Sequence, residues 1–295
     1  MPELPEVETI RRDLARVLRG KKITGLTVRL PKQIKTSLAR FRRAVIGATI
    51  ADVRRRAKFL ILDLQPAAES TAPAHLIFHL KMTGQLIYRA ADSTLAGGGH
   101  PIKQDLQKLP NRYSHVIFKF ADRGQLFFND TRQFGFVKLA TPDELKQLEN
   151  IIGPEPLDKN FTLARLREIL SAHPRWELKP ALMEQKIIAG IGNIYASEIC
   201  FAARLAPARR VVTLKPDDWL HLHQSITKIL RLAIKNRGTS SDTYVDAFGR
   251  QGSMNRALKV YGRAGETCAR CGSKSTIQPF RQKQRSTFHC PHCQK

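Results

Sequence analysis

The chain reads as an α+β protein: an N-terminal β-sandwich or barrel-like domain entered through a helix, a helical domain, and a C-terminal four-cysteine finger. Three observations predict this. Apolar residues recur at helical spacing over residues 7–18, short β-like runs fill 23–140, and helical periodicity returns beyond 156. Four of the five cysteines then crowd into the last 28 of 295 residues. A chain of this length has room for about two domains and a substantial core.

The opening Met1-Pro2-Glu3-Leu4-Pro5-Glu6 is the most informative stretch. A small residue after Met1 favours its removal, which would leave Pro2 at the terminus. A terminal proline is a secondary amine, able to attack an electrophilic carbon and form an iminium. Glu3 and Glu6 lie within reach of it as proton-transfer groups. The alternative is a charged, disordered tail. Val7, Ile10, Leu14, Val17 and Leu18 share a helical face, and Pro5 suits a first turn, so the terminus is expected to be anchored by a packed helix.

From 23 to 140 the β-like runs include 49–53, 59–62, 75–80, 116–120 and 126–128. Several alternate apolar and polar residues, and Asp122-Arg123-Gly124 marks a turn between two of them. Residues 90–112, rich in Gly, Pro and polar residues, read as a mobile surface loop. Gly153-Pro154-Glu155-Pro156 marks a boundary. Beyond it, Leu163, Leu166, Ile169 and Leu170 share one face, as do Trp219, Leu222, Ile226, Ile229 and Ala233 after the start signal Pro216-Asp217. Between them, Gly190-Ile191-Gly192-Asn193 is either a phosphate-binding turn entering a helix or a plain connection.

Charge narrows the partner. Fifty Lys and Arg against 25 Asp and Glu give +25 and a pI near 10.4. Such an excess costs self-repulsion and suits a polyanion, nucleic acid first. No apolar run approaches a membrane span, and no signal peptide is evident, which points to the cytoplasm.

Cys268-x2-Cys271 and Cys290-x2-Cys293, 18 residues apart, have the spacing of a structural four-thiolate zinc site. Disulfides are the alternative, disfavoured inside a cell. Cys200, among apolar neighbours, reads as a small buried hydrophobe. The basic stretch Arg281–Arg285 between the knuckles suits a phosphate or a groove, or is a solvated turn. Lys58 follows three arginines at a strand edge and is a candidate proton carrier or a phosphate-binding lysine. Met82 and Phe134, in two loops after apolar strands, read by themselves as core residues. If both loops point one way, they instead form wedges that fill the gap left by an unstacked base.

Several motifs together resemble one family. They are the opening nonapeptide through Val7-Glu8-Thr9, Arg55-Arg56-Ala57-Lys58-Phe59-Leu60, Gly190-Ile191-Gly192-Asn193-Ile194-Tyr195-Ala196-Ser197-Glu198, Val260-Tyr261-Gly262-Arg263 and the four-cysteine finger. In this order, over the whole chain, they are similar to formamidopyrimidine-DNA glycosylase, the bacterial 8-oxoguanine repair family. The resemblance implies a β-sandwich at 1–140, a helix–two-turns–helix module at 141–262 and a zinc finger at 263–295. It implies a bifunctional glycosylase and abasic-site lyase acting as a monomer on double-stranded DNA with oxidised purines or abasic sites. Pro2 would be the nucleophile, Glu3 the acid that opens the sugar, and Glu6 a support for that network. Lys58 would serve β-elimination and Arg285 δ-elimination. Arg132, Arg175, Lys179 and Asn193 would grip phosphates, with Tyr261 also facing DNA. Met82, Arg132 and Phe134 would replace the extruded base. One structural zinc ion would sit on Cys268, Cys271, Cys290 and Cys293.

The sequence departs from the family in three places. Tyr113 replaces a usual histidine before His115, the loop 90–112 looks longer, and the second wedge loop reads Thr131-Arg132-Gln133. Two other readings compete: the endonuclease VIII type with oxidised pyrimidines, the choice resting on the loop 239–252, and a non-catalytic DNA-binding protein. The latter has no reason to keep Pro2, Glu3 and Lys58 together.

Overall fold

The computed structural model describes residues 1–67, 74–99, 108–239, 245–246 and 252–295. Part of the 90–112 loop and most of the 239–252 loop therefore lie outside the described residues. Two compact units emerge: Met1–Asn150 with Arg237–Gly252, and Ile151–Asn236 with Ser253–Lys295.

The first unit begins with α1 (Leu4–Leu18), then β1 (Ile23–Val28) and α2 (Leu38–Val45). The strands β2 (Thr49–Arg56), β3 (Phe59–Gln65), β4 (Ala74–His79), β5 (Gly84–Arg89) and β6 (Leu95–Gly99) follow. Next come β7 (Ser114–Phe120), β8 (Gln125–Asp130), β9 (Phe136–Ala140) and α3 (Pro142–Ile151), with β10 (Val245–Asp246) returning late in the chain. They build two antiparallel sheets, β1-β7-β8-β5-β6-β10 and β2-β3-β4-β9.

Alternation along the strands sends Leu60, Leu62, Phe78, Val137 and Leu139 of one sheet, and Leu86, Val116, Phe118 and Phe128 of the other, into one core. Phe78 meets Phe118 and Phe128 edge-on, at 6.2 and 5.7 Å between ring centroids, a favoured aromatic geometry. The apolar face of α1 (Val7, Ile10, Leu14, Leu18) belongs to the same core. The opposite strand faces are covered too. Ile61 and Ile77 pack with Leu145 of α3, and Ile87, Ile117 and Phe127 pack with Leu109.

Two elements differ from the sequence-based expectation. Residues 95–99, read as part of a mobile loop, form β6 between β5 and β10. Three successive glycines carry no side-chain alternation, so periodicity had nothing to register. Their use is close approach. A Cβ on Gly97, at φ +105°, would lie 2.1 Å from the Leu86 carbonyl oxygen and 3.1 Å from Leu14 Cδ2. The helix α2 was also missed among expected strands. Its N-cap is Ser37, whose hydroxyl accepts from the Arg40 amide, and only Phe41 and Val45 on it are buried. Two apolar positions amid arginines are too few for a periodic signal.

The second unit holds α4 (Leu163–Ser171), α5 (Leu178–Met183), α6 (Asn193–Ala202) and α7 (Pro216–Lys235). Leu166, Leu170, Leu182, Tyr195, Ile199, Trp219, Leu222 and Ile226 form its core. Two small hairpins follow, β11 (Thr267–Cys268) with β12 (Gly272–Thr276) and β13 (Gln278–Gln282) with β14 (Arg285–His289). Phe201 of α6 packs with Val260, Cys268, Ile277 and Cys290, so the finger shares a core with the helices.

His79, at the end of β4, is buried between Phe59 (4.8 Å, edge-on) and Phe136 (5.8 Å), and its Nδ1 accepts from the Lys81 amide at 3.0 Å. Burial, then the charges of Lys81 and Lys58, push its pKa down to about 3.

Two predictions follow from this packing. Gly97→Ala should cost about 2 kcal/mol or more through overpacking and left-handed strain, read as a fall in the denaturation midpoint. The folded state keeps His79 neutral while the unfolded chain takes up a proton below the ordinary value near 6.5. Stability should therefore fall as pH drops from 6.5 towards 3, by about 2 kcal/mol from this group at pH 5. His79→Gln, which keeps an acceptor for the Lys81 amide, should flatten that acid limb in denaturant titrations.

Candidate functional site

In the first unit the terminus is fixed in place. Pro2, Glu3, Leu4, Pro5 and Glu6 are all buried, while Met1 is exposed. Leu4, Val7, Ile10 and Leu14 hold the helix in the core, and Pro5 sits in its first turn. Glu3 occupies the N-cap. Its backbone N–H donates to Glu6 Oε2 at 2.9 Å, one arm of a capping box. Glu6 Oε1 accepts from the Thr239 amide at 2.8 Å. Both oxygens of Glu6 are thus engaged by backbone donors, and this carboxylate ties residue 3 to residue 239.

Lys58 occupies a two-residue turn between β2 and β3, closed by the Arg56–Phe59 pair. Ala57 carries φ +52°, a left-handed conformation that usually belongs to glycine in such hairpins. Lys58 is only 6 % exposed. This turn is bound to α1 through Glu8, a residue whose role sequence reasoning did not identify. Arg55 Nε donates to Glu8 Oε2 at 3.2 Å, and Arg55 Nη1 donates to the Ala57 carbonyl at 3.0 Å. Glu8 also accepts from Arg11 at 2.9 Å and Arg12 at 2.7 Å. Burial pushes its carboxyl up, but the hydrogen bonds from Arg11 and Arg12 and the charges of Arg11 and Arg55 hold it below the usual range. Glu8 is thereby kept ionised between the helix that carries the terminus and the turn that carries Lys58.

Two loops of this unit place their apolar residues in solvent. Met82 is 40 % and Phe134 57 % exposed, which overturns the reading of both as core. Arg132 is exposed as well, its guanidinium 5.0 Å from the Phe134 ring centroid. The Arg132 amide donates to Thr83 Oγ1 at 3.0 Å and so joins the two loops. His115, beside the departure at Tyr113, is buried, with its Nε2 2.8 Å from the Asp130 carbonyl oxygen.

In the second unit the Gly190–Gly192 turn is closed by Gln185, which accepts from the Gly190 amide at 2.9 Å and donates to the Ile191 carbonyl at 2.8 Å. It delivers Asn193 as the first residue of α6. Lys179 is 1 % exposed, and its Nζ donates to Asn193 Oδ1 at 2.6 Å and Thr287 Oγ1 at 2.8 Å. Asn193 Nδ2 donates to the Ser286 carbonyl at 3.1 Å and lies 3.5 Å from the Tyr261 hydroxyl. Glu198, buried on α6, accepts the amides of Lys259, Val260 and Tyr261 at 2.8–2.9 Å, although burial still pushes its carboxyl up. Lys179, Asn193, Tyr261 and the finger strand therefore form one connected group, with a helix N-terminus in it.

Arg285 is exposed at the start of β14, opposite Gln282. The connecting Lys283 and Gln284 both have positive φ, as a two-residue twisted hairpin requires. Lys283 Nζ stands 4.1 Å from the Trp176 ring, and Gln282 donates to Glu177 at 2.8 Å. A cleft of about 200 Å³ opens here, lined by Trp176, Lys179, Met183, Gln282, Lys283 and Arg285 among others. Arg175, exposed beside Trp176, lies outside the Lys179 hydrogen-bond group.

The four finger cysteines are reduced, with Sγ separations of 3.9 Å for Cys268–Cys293 and 3.7 Å for Cys271–Cys290, and all four sulfurs lie within 4.8 Å of one another. Tetrahedral coordination at about 2.3 Å requires sulfurs about 3.8 Å apart, so the cluster could hold a metal ion. His289, next to Cys290, places its Nδ1 3.2 Å from the Gln278 carbonyl oxygen. Cys200 is fully buried, which pushes its thiol up to about 12. Among the described residues no helix is long and apolar enough to cross a membrane.

The comparisons agree with this geometry. Residues 1–137 match the formamidopyrimidine-DNA glycosylase N-terminal domain, and residues 152–245 match the formamidopyrimidine-DNA glycosylase H2TH domain. A formamidopyrimidine-DNA glycosylase of Carboxydothermus hydrogenoformans is 44% identical, covering 100% of both chains. One from Streptococcus pneumoniae is 35% identical over 100% of this chain and 99% of its own. Lactococcus lactis Fpg, solved in complex with DNA containing an abasic site, superposes with a TM-score of 0.84 at 35% identity, covering 99% of each chain. A variant of the same enzyme bound to Fapy-dG-containing DNA gives 0.84 at 35% identity over 100% of each. Sequence and fold agree from one end of the chain to the other, and the chain belongs to the formamidopyrimidine-DNA glycosylase family.

Proposed function

We propose that this enzyme excises oxidised purines, 8-oxoguanine and formamidopyrimidines, from double-stranded DNA and then cleaves the strand by β,δ-elimination. The observation that carries the reading is the buried, capped terminus, in which Pro2 and Glu3 are held by α1 and by the Glu6 carboxylate. A secondary amine at a rigid position is a prepared nucleophile. With Pro2 as the terminal residue, its nitrogen attacks C1′ and displaces the damaged base. Glu3 donates the proton that opens the sugar. The resulting iminium acidifies the 2′ proton, whose transfer to solvent breaks the C3′–O bond and expels the 3′ phosphate. Lys58 donates a proton to the departing phosphate oxygen, and Arg285 serves the second elimination. Glu6 acts on the chemistry by fixing the Glu3 backbone.

Phosphate binding falls to Lys179 and Asn193 at the start of α6, with Arg132, Arg175 and Tyr261 as further DNA contacts. A buried ammonium, an amide side chain and a helix N-terminus together favour an anionic oxygen. Met82, Arg132 and Phe134 fill the gap left by the extruded base, which their exposure permits. The functional division follows residues 1–140 for chemistry, 141–262 for phosphate binding and 263–295 for the finger. One zinc ion on Cys268, Cys271, Cys290 and Cys293 supplies folding energy and leaves no open position for catalysis. The protein works as a cytoplasmic monomer on bacterial DNA. A second reading, acceptance of oxidised pyrimidines, has one specific support: a Lactococcus lactis Fpg relative, 35% identical, was solved on oxidised-pyrimidine DNA.

Borohydride should trap a covalent protein–DNA adduct on duplexes with 8-oxoguanine opposite cytosine. Run over a panel of oxidised purines and pyrimidines, the assay ranks the lesions, and absence of any adduct sinks the lyase assignment. Pro2→Gly should lower excision of 8-oxoguanine by about 100-fold or more while keeping affinity for an abasic-site analogue within a few fold. Chelating the metal should weaken DNA binding by about tenfold or more, checked by titration against one zinc per chain by elemental analysis. Unchanged affinity of the metal-free protein would remove the finger from the DNA interface.

A further inference from the structure

We propose that Asp130 is a positioning residue that locks the two loops carrying the exposed Met82 and Phe134, 80–84 and 131–135, into one gap-filling wedge. The inference rests on the proposed base excision and concerns its extrusion step.

Asp130 ends β8 and is fully buried. Its carboxylate accepts from both loops. Oδ1 takes the hydroxyl of Thr83 and the amide of Arg132, the latter at 3.2 Å. Oδ2 takes the amide of Gly135 at 2.6 Å and Gln33 Nε2 at 3.3 Å. Thr83 is itself tied to the Arg132 amide. One side chain thus collects donors immediately after Met82 and on either side of Phe134. A Cβ on Gly135 would lie 2.9 Å from Asp130 Oδ2 and 2.9 Å from Phe128 Cζ, so the second loop closes directly against the carboxylate.

The physical reason for such a hub is that the wedge residues cannot hold themselves. Met82 and Phe134 present their apolar surface to solvent, so burial of those side chains does not fix the loops. Leu80 anchors the base of the first loop in the core, and hydrogen bonds hold the tips; charge-assisted bonds to a desolvated carboxylate are the strong kind. A wedge that enters a base stack has to resist the stack's closing, so loops tied to a common rigid point suit the task better than two independent ones. A purely sheet-building role for Asp130 does not call for these partners, because the donors come from loop positions 83, 132 and 135.

The test compares Asp130→Asn and Thr83→Val with the wild type on two duplexes. One carries 8-oxoguanine beside 2-aminopurine, whose fluorescence reports extrusion. The other carries an abasic site, which has no base to unstack. An asparagine turns one acceptor oxygen into a donor facing donors. Thr83→Val removes one tie while keeping the charge. Both variants should slow the fluorescence change and base excision by about tenfold or more. Borohydride trapping on the abasic duplex should stay within about threefold of wild type. Adding Met82→Ala to Asp130→Asn should cost less than it does alone, because the wedge is already disengaged. Equal losses on the two duplexes, or wild-type extrusion in both variants, would overturn the proposal. If Asp130→Asn fails to fold, Thr83→Val decides by the same criteria. A wild-type protein that traps no abasic DNA overturns the functional reading instead, a separate outcome from any pattern among the variants.

Discussion

A terminus proposed as a nucleophile has to be held still, and the packing of α1 is the constraint on which the first unit depends. Ordering a terminal backbone costs about 1–2 kcal/mol per residue, which free termini do not recover. Here Leu4, Val7, Ile10, Leu14 and Leu18 are buried, and each such side chain contributes about 1.5–3 kcal/mol. The apolar face of one helix therefore stabilises the ordered state of the residues before it. Glu6 completes the arrangement by meeting the amides of Glu3 and Thr239. Glu8 extends it through Arg55 to the turn of Lys58. The proposed nucleophile and the proposed proton donor are thus held by elements that share a core and an ion pair.

Buried charge is the second organising theme. Glu8, Asp130, Lys179 and Glu198 are all ionisable side chains drawn largely or wholly out of water. A fold gains little stability from such groups, since desolvation offsets much of the attraction. Their return is geometric. Each collects donors or acceptors from segments distant in sequence and so fixes positions that apolar packing leaves undetermined. The surplus of 25 positive charges has a comparable logic, since it is a cost in the free protein that a polyanion relieves.

Much of the fold was legible in the sequence. The period of α1, the alternation of the strands and the faces of α4 and α7 follow from patterns that are local and repeated. What was missed lacked a pattern. Glycines 97–99 carry no side chains to alternate, and α2 has only Phe41 and Val45 to mark its buried face. Met82 and Phe134 were read as core because apolar residues usually are, and their exposure depends on turns closed by Thr83 and Asp130. Asp130, Glu8 and Glu198 look like ordinary surface acids in one dimension.

By itself, then, the sequence determined most of the elements, the cysteine spacing that suits a tetrahedral ion, the charge that suits a polyanion and the residue types behind the chemistry proposed for positions 2, 3 and 58. These are properties of neighbours along the chain, set by helical and strand periods and by side-chain type. Tertiary structure alone decided which distant groups meet: Glu8 with Arg55, Glu6 with Thr239, Thr83 with Asp130, and Lys179 with Asn193 and Thr287. Those meetings depend on strand register and helix packing. A one-residue slip in a strand turns every side chain to the other face, and no local pattern records the outcome.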